Sequence, residues 1–116
     1  MTITLNKICK YLETSACAEN DIQISEVFVD SRKVTPGSAF VALHGENTDG
    51  HSYVASAIEK GAVAILAEES YRQKLEATIP AALKTKTHII YTEDTLMAMG
   101  IIAKGLLSDL PEGKPI

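Results

Sequence analysis

Two short polar segments contain the residues that could do chemistry in this chain of 116 residues. Asp30-Ser31-Arg32 offers a carboxylate, a hydroxyl and a guanidinium directly after an apolar run. The segment from Gly45 to His51 has two glycines and no apolar side chain. Its free backbone N–H groups could bind an anion or the edge of a base. In a purely structural interpretation, Asp30 instead pairs with Arg32, and Asp49 or His51 lies near a helix N-cap.

Motifs that would define a catalytic centre are missing from the sequence. The single Gly-Lys pair, Gly113-Lys114, is followed by Pro115 and forms no G-x-x-x-x-G-K-[ST] phosphate loop. G-x-S-x-G, H-E-x-x-H and G-x-G-x-x-G are also absent. His44 and His51 lack the spacing of metal ligands, and Cys9 and Cys17 form no C-x-x-C. We expect no metal site, no disulfide and no catalytic residue.

Composition and charge exclude several classes of protein. Hydrophobic residues make up 46% and charged residues 22%, as in an ordinary globular domain. Fifteen acidic residues against eleven basic ones give a net charge of −4, which argues against nucleic acid as a partner. No apolar run approaches the roughly 18 residues that span a membrane, and Met1–Lys10 has no signal-peptide core. We expect a cytoplasmic protein that does not contact membranes.

The first half of the chain must position both polar segments. Thr4 is a suitable N-cap for a helix over 5–13, whose apolar stripe is Leu5, Ile8, Cys9 and Leu12. Residues 24–29 are predicted as a strand that ends at Asp30. Thr35-Pro36-Gly37-Ser38 is typical of a type II turn. It leads into 39–43, predicted as a strand buried on both faces.

The second half repeats the alternation of helix and strand. A helix within 52–60 is predicted to end at Gly61 in a left-handed cap, and 62–67 to form a strand. We predict a short helix near 70–77, a strand over 88–91, and a helix over 93–107 capped within Thr92–Thr95. The fold class is therefore α/β, with a small mixed, mostly parallel sheet of four to five strands and flanking helices. Residues 1–108 form one domain, and 109–116, with two prolines and a glycine, form a linker.

One long pattern changes the functional interpretation. It consists of D-S-R, P-G-x-x-F-V-A-L and G-x-N-x-D-G-H at Asp30–Arg32, Pro36–Leu43 and Gly45–His51, followed by Ala57-Ile58-Glu59-Lys60-Gly61-Ala62. This succession closely resembles the N-terminal domain of the Mur ligases of the MurE/MurF type. Those ATP-dependent enzymes add amino acids or D-Ala-D-Ala to the UDP-N-acetylmuramoyl-peptide precursor of peptidoglycan. The resemblance extends from about Thr4 to Leu107 and implies a role in cell-wall biogenesis, cell shape and cell division.

The resemblance also implies a division of labour among domains. The N-terminal domain of such ligases holds the uridine end of the substrate, so by matching positions Val29 and Ser31 would line the uracil pocket. Glu46, Asn47 and Thr48 would close over the base and ribose. Arg32, Gly45 and Asp49 match the motifs and would serve the ligand or the loop geometry.

ATP and Mg²⁺ belong to a central domain of the family that opens with T-G-x-x-G-K-T, a motif absent from this chain. The chain would hold no cofactor and catalyse no ligation alone. Its partners would be UDP-N-acetylmuramoyl-peptide and the missing central and C-terminal domains, in a monomeric protein.

The resemblance leaves two types of ligase open, and the residues allow two further functions. Asp94-Thr95-x-x-Ala98-x-Gly100-x-x-Ala103 and Thr4-Leu5-x-x-Ile8 resemble the MurF type, which adds D-Ala-D-Ala to UDP-MurNAc-tripeptide. The alternative is the type that adds meso-diaminopimelate or L-Lys to UDP-MurNAc-L-Ala-D-Glu. Two further alternatives are a free-standing small-ligand or interaction domain, and an independent enzyme with Asp30, Arg32 and His51 as acid–base groups.

Overall fold

The beginning of the chain forms a two-stranded antiparallel sheet and a helix. The computed structural model describes residues 3–14, 22–45 and 49–108. β1 (Ile3–Thr4) pairs with β2 (Gln23–Ile24). α1 (Leu5–Tyr11) begins after Thr4, whose hydroxyl accepts a hydrogen bond from the Lys7 backbone N–H at 3.2 Å. The predicted N-cap is confirmed, and the apolar stripe of α1 is buried at Leu5, Ile8 and Cys9.

Four parallel strands form the main sheet. They are β3 (Val27–Phe28), β4 (Ala39–Val41), β5 (Ala64–Glu68) and β6 (His88–Thr92), which lie side by side in chain order. The register places Phe40 opposite both Phe28 and Ile65, and Ile65 opposite Ile89. The predicted α/β class with a mostly parallel sheet is confirmed.

The strand predicted over 24–29 is wrong as a single element. Ile24 belongs to the antiparallel pair, whereas Val27 and Phe28 belong to the parallel sheet. Between them the Ser25 N–H donates to the Gly37 carbonyl at 2.9 Å, and the Glu26 carbonyl accepts from the Ala39 N–H at 2.8 Å. The apolar run is continuous in sequence, but its two ends have different partners, which periodicity does not reveal.

Two glycines have the left-handed backbone that their turns require. Gly37 has a φ of +85° in the turn where the Ser38 N–H donates to the Thr35 carbonyl at 3.1 Å. Gly61 has a φ of +104° at the end of the next helix. Their backbones also meet, since the Gly37 N–H donates to the Gly61 carbonyl at 2.9 Å. Both glycine predictions are confirmed.

Helices cover both faces of the sheet. Successive residues of a strand point to opposite faces, so alternate residues of the central strands pack against different helices. Phe40, Ala42, Ile65 and Ala67 share one buried cluster with residues of α2 (Val54–Glu59) and α3 (Arg72–Thr78). The residues alternating with them share the other cluster with α1 and a last helix: Ala39, Val41, Ala64 and Leu66. The central strands are thus apolar on both faces, as the sequence predicted.

Two elements near the end of the described chain differ from expectation. α4 (Ala81–Lys84) follows Pro80 in a stretch predicted as loop. The last helix, α5 (Thr95–Ser108), begins after Asp94, whose carboxylate accepts from the Met97 N–H at 3.1 Å. Asp94 caps the helix from outside, so its first turn contains no acidic residue.

Among the described residues, no helix is long and apolar enough to cross a membrane. The predicted linker 109–116 and Cys17 lie outside the described residues.

Candidate ligand-binding cleft

An open cleft of ≈ 570 Å³ lies where β3 and β4 end. This edge of a parallel sheet, beyond the carboxyl ends of its strands, is where ligands bind in open α/β folds. The lining residues come from the segment after β3, from β4 and the residues that follow it, and from the 3₁₀ turn Gly50–Tyr53: Val29, Asp30, Ser31, Arg32, Phe40, Leu43, Gly45, Gly50 and Tyr53. Of the predicted site residues, Val29, Ser31 and Arg32 therefore meet at one cleft. Glu46, Asn47 and Thr48 lie outside the described residues.

The Asp30-Ser31-Arg32 segment is a 3₁₀ turn, Ser31–Lys33, capped by Asp30. The Asp30 carboxylate accepts from the Arg32 N–H and Nε at 3.0 Å and from Nη2 at 2.8 Å. These bonds, first from the side chain and then from the backbone, lower the pKa of Asp30 to about 2. The structural pairing considered for this segment is thus present. The Arg32 side chain remains 85% exposed, so its guanidinium is still accessible to an anionic ligand.

Ser31 provides a polar group at a fixed place in the cleft. Its residue surface is only 9% exposed, and its hydroxyl has no hydrogen-bond partner among the described residues. The Ser31 carbonyl accepts from Lys60 Nζ at 3.0 Å, which ties the turn to the end of α2. A ligand in the cleft would therefore find a hydroxyl free to donate and accept.

Val29 and Tyr53 give the cleft apolar walls. They are 46% and 44% exposed, and both line the cleft. Exposed apolar surface next to polar groups is typical of a site for a partly apolar small molecule. Tyr53 falls within the stretch 52–60 that was predicted to contain a helix, and it was not among the predicted site residues. Its position two residues after His51, where the polar loop ends, was the available signal.

The loop after β4 folds back on itself. His44 and Asp49 form an antiparallel bridge, and the Gly50 N–H donates to the Leu43 carbonyl at 2.8 Å. A Cβ at Gly50 would lie 2.8 Å from the Leu43 nitrogen and 3.1 Å from the Ala42 Cα. The close approach of two backbones thus explains why a glycine stands here.

Asp49 holds the loop and does not line the cleft. One carboxylate oxygen accepts from the His51 N–H at 2.9 Å and contacts His51 Nδ1 at 2.8 Å, and the other accepts from the Tyr71 hydroxyl. Burial raises the pKa of Asp49, but the bonds from Tyr71 and His51 outweigh it and lower that pKa to about 2. The same bond to Asp49 raises the pKa of Tyr71 to about 12. These contacts favour loop geometry as the role of Asp49.

His51 is buried between loop and sheet. Its Nε2 accepts from the Glu68 N–H at 2.9 Å, which assigns the proton to Nδ1, facing Asp49. The Tyr71 ring stacks on it at 3.7 Å between centroids and 7° between planes. Both ring nitrogens are occupied and His51 does not line the cleft, so the geometry does not assemble Asp30, Arg32 and His51 into an acid–base site. Among the described residues, no three His, Cys, Asp or Glu side chains could together hold a metal ion.

Comparison with known proteins identifies the family. A model described as "Mur ligase family, catalytic domain" matches residues 23–106. The UDP-N-acetylmuramoyl-L-alanyl-D-glutamate--2,6-diaminopimelate ligase of Parabacteroides distasonis is 39% identical over 90 residues, which are 78% of this chain and 17% of that ligase. The ligase of the same name from Bacteroides fragilis is 44% identical over 80 residues, which are 69% and 15% of the two chains. The chain belongs to the Mur ligase family.

A solved structure supports the fold. Crystal structure II of MurF from Acinetobacter baumannii superimposes with a TM-score of 0.66 and 21% identity, over 90% of this chain and 21% of that one. The fold is that of a Mur ligase N-terminal domain, and the chain spans about a sixth of the length of the curated relatives named above. Those relatives are diaminopimelate ligases, so the comparisons favour the predicted alternative over the D-Ala-D-Ala-adding type.

Proposed function

We propose that this chain is the substrate-binding module of a peptidoglycan-precursor ligase and that its cleft holds the uridine end of UDP-N-acetylmuramoyl-peptide. The observation that carries the proposal is the meeting of Val29, Ser31 and Arg32, which match the family motif, at one cleft of ≈ 570 Å³. In this arrangement the Ser31 hydroxyl hydrogen-bonds the edge of the uracil ring, which lies against Val29 and Tyr53. Arg32 faces the diphosphate.

The loop between Gly45 and Asp49 supplies the second side of the site. Glu46, Asn47 and Thr48 close over the base and ribose, and Asp49 shapes the loop through its contacts with His51 and Tyr71. The catalytic steps, with ATP and Mg²⁺, belong to domains outside this chain. These central and C-terminal domains are its partners, and the module itself is a monomer that performs no ligation.

The ligase that contains this module adds diaminopimelate to UDP-MurNAc-L-Ala-D-Glu. Support comes from relatives of that name at 39% and 44% identity. Two chimaeras test the assignment. Fused to the remaining domains of the Bacteroides fragilis ligase, the module should support ADP release that depends on diaminopimelate. Fused to the remaining domains of the Acinetobacter baumannii MurF, the module should support no ADP release that depends on D-Ala-D-Ala. The reverse pattern would overturn the assignment.

Titration of the isolated chain with UDP tests the site. One-sided contact with a base and ribose suggests a Kd on the order of 0.1 to 10 mM. Amide NMR shifts should cluster at residues 29–32 and 45–50, and combining Ser31→Ala with Asn47→Ala should abolish them. Ser70→Ala, at an exposed serine of another turn, is the control. Shifts confined to α5 would contradict the uridine site.

A further inference from the structure

Tyr71 lies outside the cleft, yet it contacts the loop that borders it at three residues. Its hydroxyl donates to the Asp49 carboxylate, and His44 Nδ1 lies 2.9 Å from the Tyr71 hydroxyl oxygen. Because the hydroxyl proton points to Asp49, His44 Nδ1–H is the donor in the second bond. The ring of Tyr71 stacks on His51. A single side chain thus holds together the residues before and after the segment 45–48.

Tyr71 connects this loop to a different part of the fold. It ends the 3₁₀ turn Glu69–Tyr71 directly after β5, and it is 22 residues from Asp49 in sequence. His51 is fixed to the same strand end, since its Nε2 accepts from the Glu68 N–H. The loop is therefore anchored to β5 as well as to its own backbone.

The position of the loop matters for the cleft because Gly45 and Gly50 line it. The loop's own backbone contributes the bridge between His44 and Asp49 and the bond from Gly50 to Leu43. If the Tyr71 hydroxyl is removed, Asp49 and His44 lose a common partner. If His44, Asp49 and Gly50 are held less firmly before binding, the ligand must order them, and this entropic cost weakens its affinity.

We propose that Tyr71 is a positioning residue for the cleft: its hydroxyl, acting through Asp49 and His44, holds the neighbouring residues Gly50 and Gly45 where they line the cleft. The identity of the ligand as a uridine nucleotide rests on the proposed function, whereas the hold on the loop does not. Tyr71 is not among the residues that line the cleft.

Tyr71→Phe tests this proposal, because it removes one oxygen and keeps the ring against His51. Tyr91→Phe is the matched control, since the Tyr91 hydroxyl donates to Glu76 at 2.8 Å and its side chain does not line the cleft. Loss of one hydrogen bond to a charged group should weaken UDP binding about tenfold in Tyr71→Phe. Binding by Tyr91→Phe should equal that of the wild type. If Tyr71 acts through Asp49, Asp49→Asn should weaken binding by a smaller factor in Tyr71→Phe than it does in the wild type.

A measurement without ligand separates this inference from the proposed function. Hydrogen exchange of the Gly50 amide should accelerate about tenfold in Tyr71→Phe and remain unchanged in Tyr91→Phe. The ¹⁵N shift of His51 Nε2 should stay at its wild-type value, which would show that the fold is intact. Absence of UDP binding by the wild type would contradict the proposed function, and the exchange rate would still decide the role of Tyr71. If the Gly50 amide exchanged in Tyr71→Phe at the same rate as in the wild type, the positioning role of Tyr71 would be overturned.

Discussion

The two segments that border the cleft are stabilised in different ways. Asp30 and Arg32 contact each other within two residues of sequence, and the guanidinium is largely exposed. In the second segment, Asp49 instead bonds the hydroxyl of Tyr71, which is 22 residues away in sequence. His51 bonds the backbone N–H of Glu68, which is 17 residues away. The first segment is thus a local structure, while the contacts of the second require the end of β5 and the turn Glu69–Tyr71 to be in place.

This difference has consequences for energy and for binding. An exposed ion pair gains little net stability because water screens it and because two long side chains lose freedom. A half-buried carboxylate with several donors is more sensitive to the loss of any one of them. We therefore expect mutations in the second segment to affect folding and binding together, and those at Arg32 to affect binding far more than folding.

The largest effect is expected at Gly50. Gly50→Ala places a Cβ 2.8 Å from the Leu43 nitrogen, so the loop backbone must move. We expect a loss of more than about 2 kcal/mol in the free energy of unfolding, measured in urea. Gly100→Ala is the control, because a Cβ placed there would have nothing within 4 Å apart from its chain neighbours and the backbone of its own helix, and alanine should stabilise α5 by up to about 1 kcal/mol. Equal stability of Gly50→Ala and the wild type would show that the loop is not packed as described.

An intermediate effect is expected from acid. The pKa of Asp49 is about 2 in the folded protein and about 4 in an unfolded chain. Folding therefore favours the charged form, so this stabilisation is complete above about pH 4 and disappears as the pH falls towards 2. Thermal unfolding of Asp49→Asn should depend less on pH in this range than that of the wild type.

Asp30, whose pKa is also lowered to about 2, should respond to salt differently from Asp49. Its contribution comes from an exposed ion pair, so Asp30→Asn should differ from the wild type at low ionic strength and hardly at all near 1 M NaCl. The Asp49→Asn difference should persist at that salt concentration, because its hydrogen bonds are partly buried. Equal loss of both differences would remove the distinction between the segments.

The smallest effect on folding is expected at Arg32. Arg32→Ala keeps the backbone N–H that donates to Asp30, so the melting temperature should fall by no more than that of Asp30→Asn at low ionic strength and should equal the wild-type value near 1 M NaCl. Binding should separate the roles: UDP should bind more weakly to the variant, whereas uridine, which lacks the phosphates, should bind both proteins equally. A fall in melting temperature as large as that of Gly50→Ala would place Arg32 in the folded framework instead.

Local chemistry explains what could be predicted from the sequence. The Thr4 cap and the turns at Gly37 and Gly61 depend on neighbours within four residues, and all three are confirmed. Strands that are apolar on both faces indicated a sheet covered by helices on both sides. Val29, Ser31 and Arg32 were predicted from the family pattern, and the fold brings them to one cleft.

Long-range pairing explains what could not be predicted. The run 24–29 divides between two sheets because Ile24 and Val27 have different partners. The stacking of Tyr71 on His51 and its bond to Asp49 depend on where β5 and the turn Glu69–Tyr71 lie, and the hydrophobic periodicity of the sequence does not predict this position. The roles of Glu46, Asn47 and Thr48 remain predictions.

Contacts between uridine protons and the walls of the cleft are the direct test of whether the cleft binds uridine. Intermolecular NOEs should be measured on the ¹³C,¹⁵N-labelled chain with excess UDP. We expect NOEs from uracil H5 and H6 to the Val29 methyls and the Tyr53 ring, which line the cleft and are partly exposed. NOEs to Met99 and Ile102 on the opposite face of the sheet, with none to Val29 or Tyr53, would contradict it.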